Sequence, residues 1–498
     1  AAAGLSAAVV AVGLAELVAA IVEPSASPFA VIGSGLIDLA PSWAKDTAIA
    51  LFGTGDKVAL LTGIAIVLAG LAALAGILES RRAGVGSTIL AALGVLALVA
   101  AMIRPGAGPF AWLPGLVAGV TAVVALRLLM RKVHPVPYLR AEHEERRQFL
   151  LWTVGVAATG IVALAIGNAA RGVTRSIEAV RSTLRLPKAA TPAPAVPVAA
   201  ELDIQGLAPV VTPNAQFYRI DTALIVPRID PADWSIRIHG MVDREIVVTW
   251  DELLALPMQE SHVTLACVSN EVGGDLIGNA LWLGHPVREL LARAGVDPDA
   301  DMVLSTSADG FTASTPLEAL TDDRDALLAV GMNGDPLPIE HGFPVRMVVP
   351  GLYGYVSATK WVTDLEVTRF DRATAYWTDR GWSERGPIKL QSRIDVPRRG
   401  TRIEAGDAVI AGMAWQQHVG VEGVEVRIDE GAWRRAELAT AISDDTWVQW
   451  RLDWSAESGA HTIECRAISA DGETQTSDPA DVVPDGAQGW HRIEVSVA

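Results

Sequence analysis

"VTLACVSNEVGGDLIGN" (263–279) passes from a largely apolar stretch, through one cysteine, into a loop with three glycines. The residues before Cys267 suit a buried strand, and the Ser, Asn and Gly after it suit a tight exit. A thiol where a buried strand leaves a sheet can reach a ligand. Spacing alone leaves three readings open: a core residue, a metal ligand or a nucleophile. No His/Asp neighbours mark a nucleophile triad, and no CxxC or HExxH marks zinc. A soft thiolate does suit a soft or high-valent transition metal. The only other cysteine, Cys465, alternates with Ile463 and Ala467 as a core strand residue would. An exported protein could pair the two, but they fall nearly 200 residues apart in different expected domains.

Outward from that stretch, the chain divides by composition. Its 498 residues call for more than one domain. Half are hydrophobic and the net charge is −17. The apolar residues crowd into the first 170 positions and the charges into the rest, so a membrane part precedes a water-soluble part. The acidic balance argues against nucleic acid as a partner. The chain begins at Ala1 without a methionine, and the expectation is that a native N-terminus precedes it.

Five stretches have the roughly 20 apolar residues that span a bilayer: 4–22, 57–78, 86–103, 109–130 and 149–168. Their Gly- and Ala-rich composition suits close packing in lipid. The segment 28–52, with Pro28, Pro41, Trp43, Lys45 and Asp46, reads as an interfacial or re-entrant loop. Arg81 and Arg82 follow the second span. Arg131, Lys132, Arg140, Arg146 and Arg147 precede the fifth. These basic loops mark the cytoplasmic side, which puts everything after Gly167 outside. A bis-histidine haem in this half is not expected, because His134 and His143 both fall in a loop. Glu16 lies inside the first span, where a carboxylate implies either a hydrogen bond between helices or a quinone or proton role.

The fold class expected is multi-domain. A helical membrane domain covers 1–184, and a Pro/Ala linker covers 185–204. An α+β domain covers 205–384, and a C-terminal β-sandwich of immunoglobulin type covers 385–498. The linker, "LPKAATPAPAVPVAA" (186–200), reads as extended and unable to form a core. "WSIRIHGMV" (234–242) and "REIVVTW" (244–250) alternate like strands. "DELLALP" (251–257) reads as a short helix capped by Asp251, and "HPVRELLARAGV" (285–296) as an amphipathic helix. After 385, "VEGVEVRID", "TWVQWRLDW" and "HTIECRAIS" are alternating runs separated by turns.

Three segments in order resemble the sulfite oxidase family of molybdenum–molybdopterin enzymes, in a bacterial membrane-anchored form. They are "FYRIDTALIVPRIDPADWSIRIHG", "LACVSNEVGGDLIGNALWLGHPVRELL" and "LLAVGMNGDPLPIEHGFPVRMVVPGLYGYVSATKWVTDLEV". The resemblance covers about 205–375, and the tail resembles that family's immunoglobulin-like domain. It implies that Cys267 is the protein thiolate on molybdenum and that Asn270 shapes its loop. It implies that Arg219 binds the pterin or an oxyanion substrate, for which a guanidinium fork is suited. His341 and Arg346 would hydrogen-bond the cofactor, Ser357 and Lys360 would hold its phosphate, and Asp309 would bind the pterin amino edge. Gly351 and Gly354 would let the backbone approach. The chain departs from eukaryotic members in three places. Arg219-Ile220-Asp221 stands where they carry RNH. Trp382 stands near their active-site tyrosine, with Tyr376 or Tyr353 as substitutes. "AWQQHVG" (414–420) lacks their glycine-rich, arginine-bearing segment.

"ERRQFL" (145–150) resembles the twin-arginine export motif, whose pathway moves folded proteins. Read this way, the fifth span carries a folded, cofactor-loaded domain across and remains as its anchor in the cell membrane. The plain alternative is a positive-inside stop for the last helix. The expected reaction is two-electron oxygen-atom transfer at the outer face, sulfite-oxidase-like, on a small oxyanion or oxide substrate. The alternatives are an S-oxide or N-oxide reductase fed with electrons from the membrane, and a non-catalytic subunit of a respiratory complex. No haem-binding domain is recognisable, so the expected partner is an external electron carrier or a quinone-linked membrane protein. A homodimer through the tail domain is a further expectation of the resemblance.

Overall fold

The computed structural model describes residues 1–22, 26–39, 56–104, 107–133, 142–173 and 175–498. The chain divides into two compact units. One comprises Ala1–Ala179 with Ala223–Val226, and the other Val180–Thr222 with Pro227–Ala498.

The first unit is helical: α1 (Ala2–Val22), α2 (Pro28–Leu39), α3 (Asp56–Arg81), α4 (Val85–Ile103), α5 (Trp112–Val133) and α6 (Glu142–Val173). Among the described residues, four helices hold segments long and apolar enough to cross a membrane: Ala2–Val22, Ala59–Arg81, Val85–Ile103 and Trp112–Arg131. The fifth expected span is a shorter apolar stretch, Leu150–Ile166, within α6. Small residues let these helices touch. A Cβ added at Gly13 would sit 2.0 Å from the Gly160 carbonyl oxygen, and one at Gly94 2.4 Å from the Gly119 Cα. Such approach replaces the hydrophobic drive that lipid does not supply. Glu79, near the end of α3, accepts the backbone N–H groups of Gly84 and Ser87 at 3.0 and 2.8 Å, filling orphan donors at the start of α4.

The expected loop at 28–52 is corrected over its first part, which is helix α2; residues 40–52 lie outside the described residues. Pro28 is no breaker there. It occupies the first helical position, where its missing N–H costs nothing, and Ser27 caps the helix by accepting the Ala30 N–H at 3.4 Å. The same Ser27 hydroxyl donates to buried Glu16 at 2.7 Å, so the carboxylate does join two segments.

The second unit carries four sheets. Its first ten strands are β1 (Ser235–Gly240), β2 (Ile246–Thr249), β3 (Gln259–Ala266), β4 (Ile277–Pro286), β5 (Met302–Ser307), β6 (Thr312–Pro316), β7 (Leu327–Met332), β8 (Asp335–Pro336), β9 (Arg346–Val348) and β10 (Val362–Thr368). One sheet has the order β2-β1-β10-β5-β6, with β1 and β10 parallel. The other runs β3-β4-β7-β8, with β9 beside β7. Both share a core in which Ile236, Val303 and Leu365 of one sheet meet Leu328, Val330 and Met347 of the other. The helix Val287–Ala294 buries Val287, Leu290, Leu291 and Ala294 completely, at the three-to-four spacing of one helical face. Each of those leucines stabilises the fold by about 1.5–3 kcal/mol. The short helix Trp250–Ala255 is capped by Thr249, not by Asp251. A capping box with Glu252 satisfies the Thr249 and Glu252 N–H groups reciprocally at the helix start, and Asp251 sits in the first turn.

The Pro/Ala segment is extended, but it is no free spacer. Thr191 pairs with Gln259 at the open edge of β3: Glu260 N–H donates to Thr191 O at 2.9 Å, and Ala190 N–H to Met258 O at 2.7 Å. The bonds at this edge are backbone, and the expectation that the segment takes no part in a core is corrected at Ala200, which is fully buried in the shared core, with Leu186 and Ala189 packed against it.

The remaining strands form a β-rich C-terminal part. They are β11 (Gln391–Val396), β12 (Arg402–Ile403), β13 (Gly406–Trp415), β14 (Val421–Ile428), β15 (Arg434–Arg435), β16 (Glu437–Leu438), β17 (Val448–Ala456), β18 (Gly459–Ser469) and β19 (His491–Val497). Sheet β11-β13-β17-β16 faces sheet β12-β19-β18-β14-β15 across Ile410, Trp450, Val426, Ile463 and Ile493. Cys465 is fully buried in this core, and both cysteines are free.

Candidate active site

β3 delivers Cys267 to a pocket and the loop behind it holds the thiol there. Cys267 N–H donates to Leu276 O at 2.9 Å, and Asn270 N–H to Cys267 O at 3.1 Å. Asn270 Oδ1 accepts the Leu276 N–H at 2.8 Å, closing the loop from inside. Gly273 has φ +78°, and a Cβ there would lie 2.3 Å from the His491 ring. Glycine is therefore required twice over. His491 is fixed in turn, because its Nδ1 accepts the Ile394 N–H at 2.9 Å. Arg393 donates to Gly274 O at 2.8 Å and pairs with Asp395 at 2.8 Å. The C-terminal part thus braces the cysteine loop. The thiol itself is 9% exposed, and burial pushes it up, against hydrogen bonds from Ser269 and the charge of Lys360.

Cations gather beside the thiol. Arg346 starts β9 and is buried. Its three nitrogens donate to the carbonyls of Met347, His341 and Ala358 at 3.3, 3.1 and 3.4 Å, and it lies 5.0 Å from the Trp282 ring. Burial draws it down to about 10. Lys360 precedes β10 and donates to Asp221 at 3.1 Å and to Glu340 O at 3.0 Å. Burial draws its amine down to about 8 against the opposing pull of Asp221. Arg219 pairs with the same Asp221 oxygen at 2.9 Å. His341 is buried and drawn to about 3, by burial first and then by Lys360 and Arg346. Its Nε2 lies 3.3 Å from Asn214 O, while its Nδ1 is buried without a hydrogen-bond partner.

The pocket around Cys267 is lined by Tyr218, Asp221, Asp309, Arg346 and Lys360, and by an aromatic wall of Phe311, Tyr355, Trp377 and Trp382. Of the residues expected at the site, Cys267, Asp309, Arg346 and Lys360 line the pocket itself. Asn270 lies behind the thiol, while His341 and Arg219 are joined to the lining through Arg346 and Asp221. Asp309 also accepts the Phe311 N–H at 3.2 Å. Ser357 is not brought to the pocket. Its hydroxyl is fully buried and donates to Tyr353 O at 2.9 Å and to Leu352 O at 3.2 Å. Gly351, at φ +80° against His418, answers a local turn. Trp382 does line the pocket, but the tyrosines beside it are Tyr355 and Tyr218, not Tyr376 or Tyr353. Sequence reasoning also passed over Asp221. Its position two residues after Arg219 in "FYRID" was the available signal. Among the described residues no three His, Cys, Asp or Glu side chains form a metal site of their own.

Residues 223–377 match the family described as "Oxidoreductase molybdopterin binding domain". Rat mitochondrial sulfite oxidase is 29% identical over 342 residues, covering 58% of this chain and 62% of that protein. The chain thus spans about six tenths of the length of the curated sulfite oxidase it matches. The uncharacterized oxidoreductase YuiH of Bacillus subtilis is 32% identical over 157 residues, covering 32% of this chain and 76% of that one. Among solved structures, the sulfane dehydrogenase SoxCD of Paracoccus pantotrophus is 25% identical with a TM-score of 0.49, covering 54% of this chain and 75% of that chain. A relative 32% identical and covered over 76% of its length, a domain match over residues 223–377 and a sulfite oxidase 29% identical over 342 residues agree: the protein is a member of the sulfite oxidase family of molybdopterin oxidoreductases.

Proposed function

We propose that the chain catalyses two-electron oxygen-atom transfer in the pocket at Cys267, in the manner of sulfite oxidases, at the outer face of a membrane. As a molybdopterin oxidoreductase it carries a molybdenum–molybdopterin cofactor. The residues present fit that group. Arg219 and Lys360 pair with Asp221, and Arg346 and Asp309 line the same pocket, so three cations stand beside two carboxylates and the region carries more positive than negative charge. Burial draws down both Arg346 and Lys360, with the charge of Arg346 adding to the effect at Lys360, and an anionic ligand would favour their charged forms. The orphaned Nδ1 of His341 has hydrogen-bonding capacity to offer, and such buried groups normally find a partner.

When bound, the cofactor supplies a metal that changes by two electrons while an oxygen atom moves between it and the substrate. Cys267 would give the metal its protein sulfur, with Asn270 shaping the loop. Arg346, Lys360 and His341 would hold the pterin and its phosphate, and Asp309 its amino edge. Arg219 would orient the substrate at the mouth. Ser357 would act at one remove, by fixing the turn before Lys360. The observation that carries the reading is the single thiol held at a cation-rich pocket inside the matched domain. Metal analysis with a sulfite assay and an artificial acceptor tests it. Expected are one molybdenum per chain, lost in Cys267→Ala, and sulfite-dependent acceptor reduction. A molybdenum-free protein ends the reading.

A second reading, reduction of an S-oxide or N-oxide with electrons from the membrane, is favoured by Asp221, which pairs with Arg219, the cation assigned to the substrate. Anchoring by the N-terminal helices and exchange of electrons with an external carrier or quinone-linked protein belong to both readings. So does an immunoglobulin-like identity for the β-rich tail, with the domain limits given above and a homodimer through it. Four helices of sufficient length and apolarity support anchoring. Orientation is tested by replacing Arg146 and Arg147 with lysine. The catalytic part should then stay inside and become resistant to external protease, whereas unchanged export would refute the twin-arginine route.

A further inference from the structure

A second cavity, of about 700 Å³, opens where residues 181–192 run past β4 and β8. It is roomier than the space of about 120 Å³ beside Cys267. Its rim is basic, with Arg181, Arg185 and Lys188. Arg181, in the last turn of the helix Arg175–Thr183, donates from Nη1 to Pro336 O at 3.2 Å. Arg185 and Lys188 are exposed, and among the described residues neither side chain makes a hydrogen bond or an ion pair. The floor is apolar, formed by Leu184, Leu186, Leu281 and Leu283. Leu186 is seated against β7, since a Cβ added at Gly331 would lie 2.6 Å from its methyl carbon. Two carboxylates, Glu260 and Asp335, share the lining, and Glu260 accepts the Ala193 N–H at 3.3 Å. Three cations against two carboxylates leave one net positive charge. That balances a phosphodiester, which carries a single negative charge, better than a phosphate monoester at about −1.5 to −2.

The cleft is also tethered to an apolar helix. Arg181 follows Ile166, the last residue of the apolar stretch in α6, by fifteen residues. Fully extended, that is at most about 50 Å of chain, and the helix Arg175–Thr183 shortens it. On the orientation proposed above this segment lies on the outer side, where the positive-inside bias calls for few cations. Three of them between 181 and 188 need a reason other than topology.

We propose that this cleft binds one anionic phospholipid, its phosphodiester held by Arg181, Arg185 and Lys188 and its glycerol and upper acyl carbons laid on the leucine floor. The inference rests on the membrane anchoring proposed above, not on the chemistry at Cys267. The two guanidinium groups can grip phosphate oxygens through paired N–H groups, and the lysine adds a point charge. The apolar floor is what a free anion would leave unused. Because the same strap pairs with β3 at Thr191, a lipid in the cleft would fasten the strap to the sheet from its other end.

The test titrates the full-length protein in dodecyl maltoside with phosphatidylglycerol, phosphatidylcholine and inorganic phosphate. Native mass spectrometry counts bound lipid, and amide hydrogen exchange over residues 181–192 locates it. Phosphatidylglycerol should bind more tightly than phosphatidylcholine and slow exchange in that segment, and inorganic phosphate should not slow it. A cation near an anionic headgroup changes affinity about fivefold, so Arg185→Gln combined with Lys188→Gln should weaken phosphatidylglycerol binding about 25-fold and abolish the slowing. Arg185→Lys alone should keep most of both. The two side chains are exposed, so the double variant should melt as the native protein does in lipid-free detergent, and the native comparison of the two lipids decides without any variant. Equal binding of the two lipids overturns the inference, as does a double variant with unaltered phosphatidylglycerol affinity and exchange. Slowing by inorganic phosphate equal to that by the lipid also overturns it, by making the cleft a free-anion site. A native protein that stays soluble without detergent is a different failure, that of the anchoring itself.

Discussion

Replacing Gly273 by alanine tests how the C-terminal part governs the cysteine loop. At φ +78° an alanine adopts a left-handed conformation that costs about 1–2 kcal/mol. Its Cβ would also lie 2.3 Å from the His491 ring, which cannot withdraw freely because its Nδ1 holds the Ile394 N–H. Overpacking of this kind costs about 1–3 kcal/mol. Together the two effects amount to roughly 2–5 kcal/mol, which would lower the melting temperature of the second unit by about 3–8 °C. The strain falls on the loop whose two ends are tied by Cys267 N–H to Leu276 O, so the thiol should move. Thermal unfolding and molybdenum content, measured on the same preparations, give the readout. Gly273→Ala should melt lower and hold less metal. In the double variant with His491→Ala, the clash is gone while the backbone strain remains, so the two substitutions should couple favourably by about 1–3 kcal/mol. A Gly273→Ala protein with native melting and a full metal complement would refute the bracing argument, and so would strictly additive effects.

Other outcomes follow from the same geometry. Lys360 sits at about 8 in the folded chain and at 10.5 ordinarily. Between those values the unfolded chain binds the proton and the folded chain does not, so cofactor-free stability should rise from about pH 8 to 10.5, by up to ~1.4 kcal/mol per unit. Lys360→Met should flatten that rise in a pH series of unfolding curves. His341, at about 3 folded against 6.5 ordinarily, works in the same sense at lower pH. Stability should be lost as pH falls through that window, and His341→Gln should reduce the loss. In the helical unit, Gly13→Leu would drive a side chain into the Gly160 backbone and should sharply lower the yield of detergent-stable protein, while a leucine at Gly63, which has open space around it, should not.

Much of this was legible in the sequence because it rests on local chemistry. The run into Cys267 and the glycines after it needed only the rule that a buried strand must exit through a tight turn, and the loop obeys it. Alternating residues marked β14, β17 and β18, whose two faces differ in exposure. What escaped depends on partners distant in the chain or on backbone alone. Asp221 finds Lys360 139 residues away, and nothing in "FYRID" announces that. The family resemblance implied Ser357 as a phosphate ligand, whereas its short helix turns the hydroxyl onto the Tyr353 carbonyl. The segment from Pro28 read as a loop when Ser27 makes that proline a helix start, and Asp251 read as a cap two residues too late.

The strap formed by residues 190–191 has a mechanical corollary. It zips onto the outer margin of β3, the strand that runs directly into Cys267. Farther along the same margin, Thr264 N–H reaches Asp445 O and Thr264 O receives Gln417. A fragment cut to begin at residue 205 would strip the first half of this hem and leave raw β-edge exposed to self-association. One beginning at residue 186 would keep it. Tension on the leash is therefore felt by the strand that presents the sulfur.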